Sequence, residues 1–182
     1  MTKSMTGSFY LTETVTLPAA NPSGTRVTGT VDLSAYVNVP TGQAIAIESV
    51  DFIYQWASAH YAAGAGMLVG NGAVHSQLTD LNPAGLMVRA DNHSLIASGA
   101  LNIDTANNIT TNATDLYPDN FGPSALSEAF LVVNDTLYLT GGNENTAVSG
   151  SAVFVTARIR CRVVKLSTKD WMAIAIQSTA EA

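Results

Sequence analysis

The sequence predicts an all-β fold, a jelly-roll or Greek-key β-sandwich with a short C-terminal helix, and three observations carry that prediction. In residues 152–166, AVFVTARIRCRVVKL, one side-chain set (Val153, Val155, Ala157, Ile159, Cys161, Val163) alternates with another (Phe154, Thr156, Arg158, Arg160, Arg162). This is the period-two pattern of a half-buried strand, longer than most and therefore in need of several partners. Elsewhere, about eight short apolar segments are separated by turn residues and one long polar excursion, as in a sandwich. Finally, no internal period of about 20–50 residues marks a propeller or a solenoid.

Taken in order, residues 8–17, SFYLTETVTL, alternate Phe9, Leu11, Glu13, Val15 and Leu17 against Tyr10, Thr12, Thr14 and Thr16, with the threonine enrichment of a strand. Pro18 ends it, and AANPSGT leads to a second strand over residues 26–33, so the pair could form a hairpin. A Pro-Thr-Gly turn at Pro40, Thr41 and Gly42 opens residues 43–56, QAIAIESVDFIYQW. There the period slips, with Ile45 and Ile47 in one phase and Val50, Phe52, Tyr54 and Trp56 in the other. A β-bulge at Glu48 and Ser49 brings all six onto one face and leaves Glu48, Asp51 and Gln55 outward. Two separate short strands are the alternative.

The glycine-rich stretch that follows lacks the spacing of a phosphate loop and reads as tight turns or close backbone contact. Short strands are expected at residues 73–78 and 85–90, on either side of an Asn82-Pro83 turn, and at 94–103. Residues 104–123, dense in Asn, Thr, Asp, Gly and Pro, read as an excursion over the outside of the domain. A short helix at 124–128 and strand segments at 129–133 and 136–140 precede the loop 141–150. Ser167 and Asp170 stand in capping-box spacing before a helix over 169–176. Trp171 and Ile174 lie along one side of it, and Met172 and Ile176 form a second apolar strip.

At 182 residues the chain fits one domain, 1–182, with 167–182 as a C-terminal docking tail. Charged residues are 12% of it, half the roughly 25% of a soluble domain. Such a surface can be covered by neighbours without stranding ions. A net charge of −6 argues against a general nucleic-acid binder, whose footprint is basic. The N-terminus shows no signal-peptide core, and no apolar run approaches the roughly 18 residues of a membrane span. The single cysteine, Cys161, forms no intramolecular disulfide and reads as core packing.

No catalytic constellation is legible, so the chain is expected not to be an enzyme, and no cofactor is expected. His60, His75 and His93 show no metal-ligand spacing, the aspartates at 104, 115 and 119 do not form an EF-hand loop, and no nucleophile elbow is present. Four Asn-x-Ser/Thr sites, at Asn92, Asn108, Asn112 and Asn134, arise from composition. Arg158, Arg160 and Arg162 are three of eight basic residues and share one strand face, where they repel unless anions sit opposite. Two readings are open. Either Asp and Glu of adjacent strands pair with them, or they meet an acidic neighbour subunit, a lipid headgroup surface or packaged nucleic acid.

Five segments carry a resemblance: VDLSAYVNV, QAIAIESVDFIYQ, SLIASGAL, FLVVNDTLYL and VFVTARIRCRVVKL. With them the chain resembles single jelly-roll capsid proteins of tailless icosahedral viruses, including membrane-containing viruses of archaea and bacteria. The resemblance implies a structural virion protein that self-assembles into an icosahedral shell and has no catalytic residues. It implies as partners further copies of the chain, neighbouring capsid proteins and an internal membrane surface. With only Lys3 in its N-terminal arm, the chain departs from coat proteins that bind genome through a basic arm. Candidate assembly contacts are Arg158, Arg160, Arg162, Trp171, Met172 and Ile176. The runner-up is a receptor- or glycan-binding module that recognises its ligand with the loops 102–123 and 141–150.

Overall fold

The computed structural model describes residues 3–61, 64–113 and 130–179. They contain ten strands in two antiparallel sheets, a 3-10 turn at Gly64–Gly66 and one α-helix. Sheet I contains β1 (Lys3–Ser4), β2 (Phe9–Leu17), β4 (Gln43–Trp56), β8 (Phe130–Val132) and β10 (Val153–Lys165). Its order is β8–β4–β10, with β1 and β2 both pairing with β10. Sheet II runs β3 (Arg26–Asp32), β9 (Thr136–Glu144), β5 (Gly72–Thr79), β6 (Leu95–Asp104) and β7 (Ile109–Ala113). With β1 and β7 set aside, the chain changes sheet at every connection except β5 to β6, which is the double Greek key of a jelly roll.

The long strand is β10, central in sheet I, with Val153, Val155, Ala157, Ile159, Cys161 and Val163 all buried. Its partner β4 carries the bulge. Cys161 faces Ile47 and Arg160 faces Ser49, so Glu48 is the extra residue. Ile45, Ile47, Val50, Phe52, Tyr54 and Trp56 consequently all reach the core between the sheets. There the Tyr54 hydroxyl crosses to Ser76 of β5 at 2.9 Å, which satisfies two buried polar groups at once. A second buried polar joint ties two loops together: Asn21 Nδ2 donates to Asn143 Oδ1 at 2.7 Å, and Asn143 Nδ2 to the Thr146 carbonyl at 2.7 Å.

Two expectations are corrected. Residues 9–17 and 26–32 do not pair as a hairpin. β2 lies against β10 and β3 against β9, because the apolar stripes of both face the same core from opposite sheets. Residues 85–90 are not a strand. The Gln77 side chain takes the place of a ladder partner there, accepting from Val88 N–H at 2.8 Å and donating to the Val88 carbonyl at 3.0 Å. Of the excursion 104–123, residues 109–113 form β7 on the margin of sheet II. Asp104 ends β6 and residues 105–108 turn into β7, whereas residues 114–123 and the helix expected at 124–128 lie outside the described residues.

Candidate functional site

The bulge places a carboxylate among the arginines. Even-numbered residues of β10 face outward from sheet I, and Glu48, displaced from the ladder, lies beside them with its side chain 13% exposed. One carboxylate oxygen accepts from Arg160 Nε at 2.9 Å and the other from Arg162 Nη1 at 2.8 Å. The Ser8 hydroxyl donates to the same group at 2.8 Å. Arg158 instead lies over the Tyr10 ring, 4.9 Å from its centroid, a cation–π contact. Pairing with an acid of the adjacent strand therefore accounts for Arg160 and Arg162. Beneath them, burial and the Glu48 charge push the Cys161 thiol up to about 12, so the thiol is protonated at neutral pH.

Helix α1 (Thr168–Thr179) begins where the cap predicts, with Asp170 N–H donating to Ser167 Oγ at 3.2 Å. It lies on the outer face of sheet I. Trp171, Ile174 and Ala175 pack on Ala44, Ala46, Val164 and Leu166, whose side chains project from the face opposite the main core. The sequence expected Trp171 to dock on another chain, whereas here it docks on its own. The opposite side of the helix carries Lys169, Met172, Ala173 and Ile176 at i, i+3, i+4 and i+7, all exposed. Met172 is 50% and Ile176 64% accessible among the described residues.

Sequence reasoning missed a polar cluster on the outer face of sheet II. Glu144 Oε1 accepts from Arg26 Nη2 at 2.7 Å and lies 2.9 Å from His75 Nε2. The three residues stand on β9, β3 and β5. Gly142, between Arg26 and His75 in the ladder, makes room for both side chains. Burial alone raises the Glu144 carboxyl, but the hydrogen bond and charge of His75 and the Arg26 guanidinium outweigh it and hold it below the ordinary value. Beside the cluster lies a basin of about 350 Å³ bordered by Gln77, Met87, Ser98 and Ala100. No local motif announces it, because its members are distant in sequence; only the strand register brings them together.

Among the described residues no three His, Cys, Asp or Glu side chains are grouped to hold a metal ion, and no helix is long and apolar enough to cross a membrane. His60 lies against Phe154 in a tilted ring contact, with centroids 4.8 Å apart. Of the loops the runner-up reading invoked, 141–144 belongs to β9, and the two aromatic residues of the 102–123 loop, Tyr117 and Phe121, lie outside the described residues.

No protein-family model matches the sequence, and no curated protein matches it. Solved structures similar to it include VP1 of Trichodysplasia spinulosa-associated polyomavirus, with a TM-score of 0.41 and 10% identity over 90% of this chain and 99% of that one. The same protein in complex with sialylated precision glycooligomers gives 0.42 and 9%, over 90% and 98%. Merkel cell polyomavirus VP1 in complex with GD1a oligosaccharide gives 0.39 and 13%, again over 90% and 98%.

Proposed function

We propose that this chain is a structural virion protein, a coat subunit that assembles with further copies into a closed icosahedral shell and carries no catalytic activity. The observation that carries this reading is the exposed strip Lys169, Met172, Ala173 and Ile176. The other side of the same helix is anchored on sheet I. An apolar strip presented on a fixed element, in a chain with 12% charged residues, suits repeated contact between copies. The jelly-roll strand order agrees with it, although a fold alone hosts many functions. In the shell, the strip docks on a neighbouring subunit, and Arg158, exposed beside Tyr10, lies on the same outer side of sheet I.

The test changes the strip without touching the docked side. A Met172→Asp, Ile176→Asp double variant keeps the thermal stability of the parent but forms no large particles, as read by light scattering and electron microscopy. Intact particles from this variant refute the role of the strip. One observation favours a second reading as a glycan-binding module, namely the basin beside Arg26, His75 and Glu144. Small discrete oligomers together with saturable saccharide binding that Glu144→Gln abolishes would establish that reading instead.

A further inference from the structure

β2 and β3 form one margin of the sandwich. Among the described residues β2 has β10 as its strand neighbour, and β3 has β9. β2 is nine residues long, without proline or bulge, and its inner stripe is Phe9, Leu11, Glu13, Val15 and Leu17. An unbulged edge of this length with apolar neighbours is a template for an added strand. The exception in the stripe is Glu13, which points into the seam and is half-buried.

Two features show that the fold accommodates this charge. Opposite Glu13 in the ladder stands Ala157, and across the seam stands Gly29 of β3. A Cβ on Gly29 would lie 3.2 Å from Glu13 Oε1 and 2.9 Å from a Val15 methyl, so the missing side chain is the space the carboxylate uses. Then there is the direction of the amides. Ala57 N–H bonds to the Ala152 carbonyl, so by the alternation of an antiparallel ladder the even residues of β10 turn their backbone groups toward β4. Thr14, opposite Thr156, therefore turns its amide to the open edge. Glu13 Oε1 accepts it at 3.2 Å.

We infer that Glu13 closes the β2–β3 margin to strand addition by a second copy of this chain. It occupies a donor that an incoming strand needs, and it sets a carboxylate where that strand would bury its own apolar side chains. Copies therefore do not add strands at this margin. This inference does not depend on the coat-protein reading, because an open edge recruits strands whatever the domain does.

The experiment uses the full chain with Glu13→Val, a strong strand former, and Glu13→Lys, which keeps an inward charge. The Val variant retains the circular dichroism of the parent but assembles into thioflavin-binding fibrils at about one-tenth of the concentration or less, a tenfold change in association constant. The Lys variant remains as dispersed as the parent. Either a folded Val variant with no more fibril than the parent, or a Lys variant that forms fibrils as readily as Val, overturns the inference. Should the Val variant not fold, amide hydrogen exchange on the parent decides. Thr14 exchanges several-fold more slowly than its open-edge neighbours Thr12 and Thr16, and Glu13→Ala removes the difference; equal exchange in the parent overturns the inference.

Discussion

Deleting a residue from the middle of a central strand ordinarily turns one half of it inside out, yet deleting Glu48 from β4 should leave this fold intact. Glu48 is the extra residue opposite the step from Arg160 to Cys161. Without it Ile47, Ser49 and Val50 follow one another in regular alternation, and all six apolar side chains keep their face. What is lost is the carboxylate. The pair with Arg160, whose side chain is 52% exposed, is worth under about 1 kcal/mol. The bond to Arg162, 22% exposed, is charge-assisted and mostly shielded, worth roughly 1.5–3 kcal/mol. The expected loss is therefore about 2–3 kcal/mol. Deleting Arg158 from β10 has no bulge to absorb it. It turns Val153 and Val155 outward, both fully buried, at about 1.5–3 kcal/mol each, a large share of the roughly 5–15 kcal/mol that holds a domain together. Urea unfolding followed by tryptophan fluorescence compares the two. A Glu48 deletion that is as unstable as the Arg158 deletion would refute the bulge assignment.

Three further outcomes follow from the same geometry. Cys161 resists thiol reagents in the native protein: raising its pKa from 9.0 to about 12 cuts the thiolate population about a thousandfold, so labelling at mild alkaline pH within minutes, without denaturant, would contradict its burial. Glu144 contributes stability that is present above the ordinary glutamate value of 4.5 and is lost as pH falls through its lower folded value. Thermal midpoints should therefore fall less steeply in that acid range for Glu144→Gln than for the parent, with a modest difference because the carboxyl is 39% exposed; parallel curves would count against the pairing. Trp171→Ala should loosen α1 at a cost of about 1–2 kcal/mol, less than for a fully buried tryptophan, while the sheets persist; hydrogen exchange that is unchanged across α1 would show that the helix does not depend on that contact.

What was legible in the sequence was whatever depends on local alternation or local capping. β10 announced itself by its unbroken period, the bulge by a period that slipped within one apolar run, and α1 by Ser167 three residues before Asp170. What was not legible depends on where the chain goes after a turn. AANPSGT reads the same whether β2 and β3 pair or part to opposite sheets, and residues 85–90 gave no sign that the Gln77 amide would stand in for a strand. The arginine strip was half readable: once the bulge is placed, Glu48 falls between Arg160 and Arg162. The Arg26–Glu144–His75 cluster was not readable, since its three strands are brought side by side by sheet order alone. The inward Glu13 was visible as one polar member of an apolar stripe, but its meaning depends on β2 being an outer strand.

The measurement that bears most directly on the coat-protein reading is the mass of the purified full-length chain as a function of concentration, by multi-angle light scattering with electron microscopy of the same samples. Closed particles of megadalton mass and uniform diameter are expected. A chain that stays at its monomer mass of 19.0 kDa at every concentration would contradict that reading.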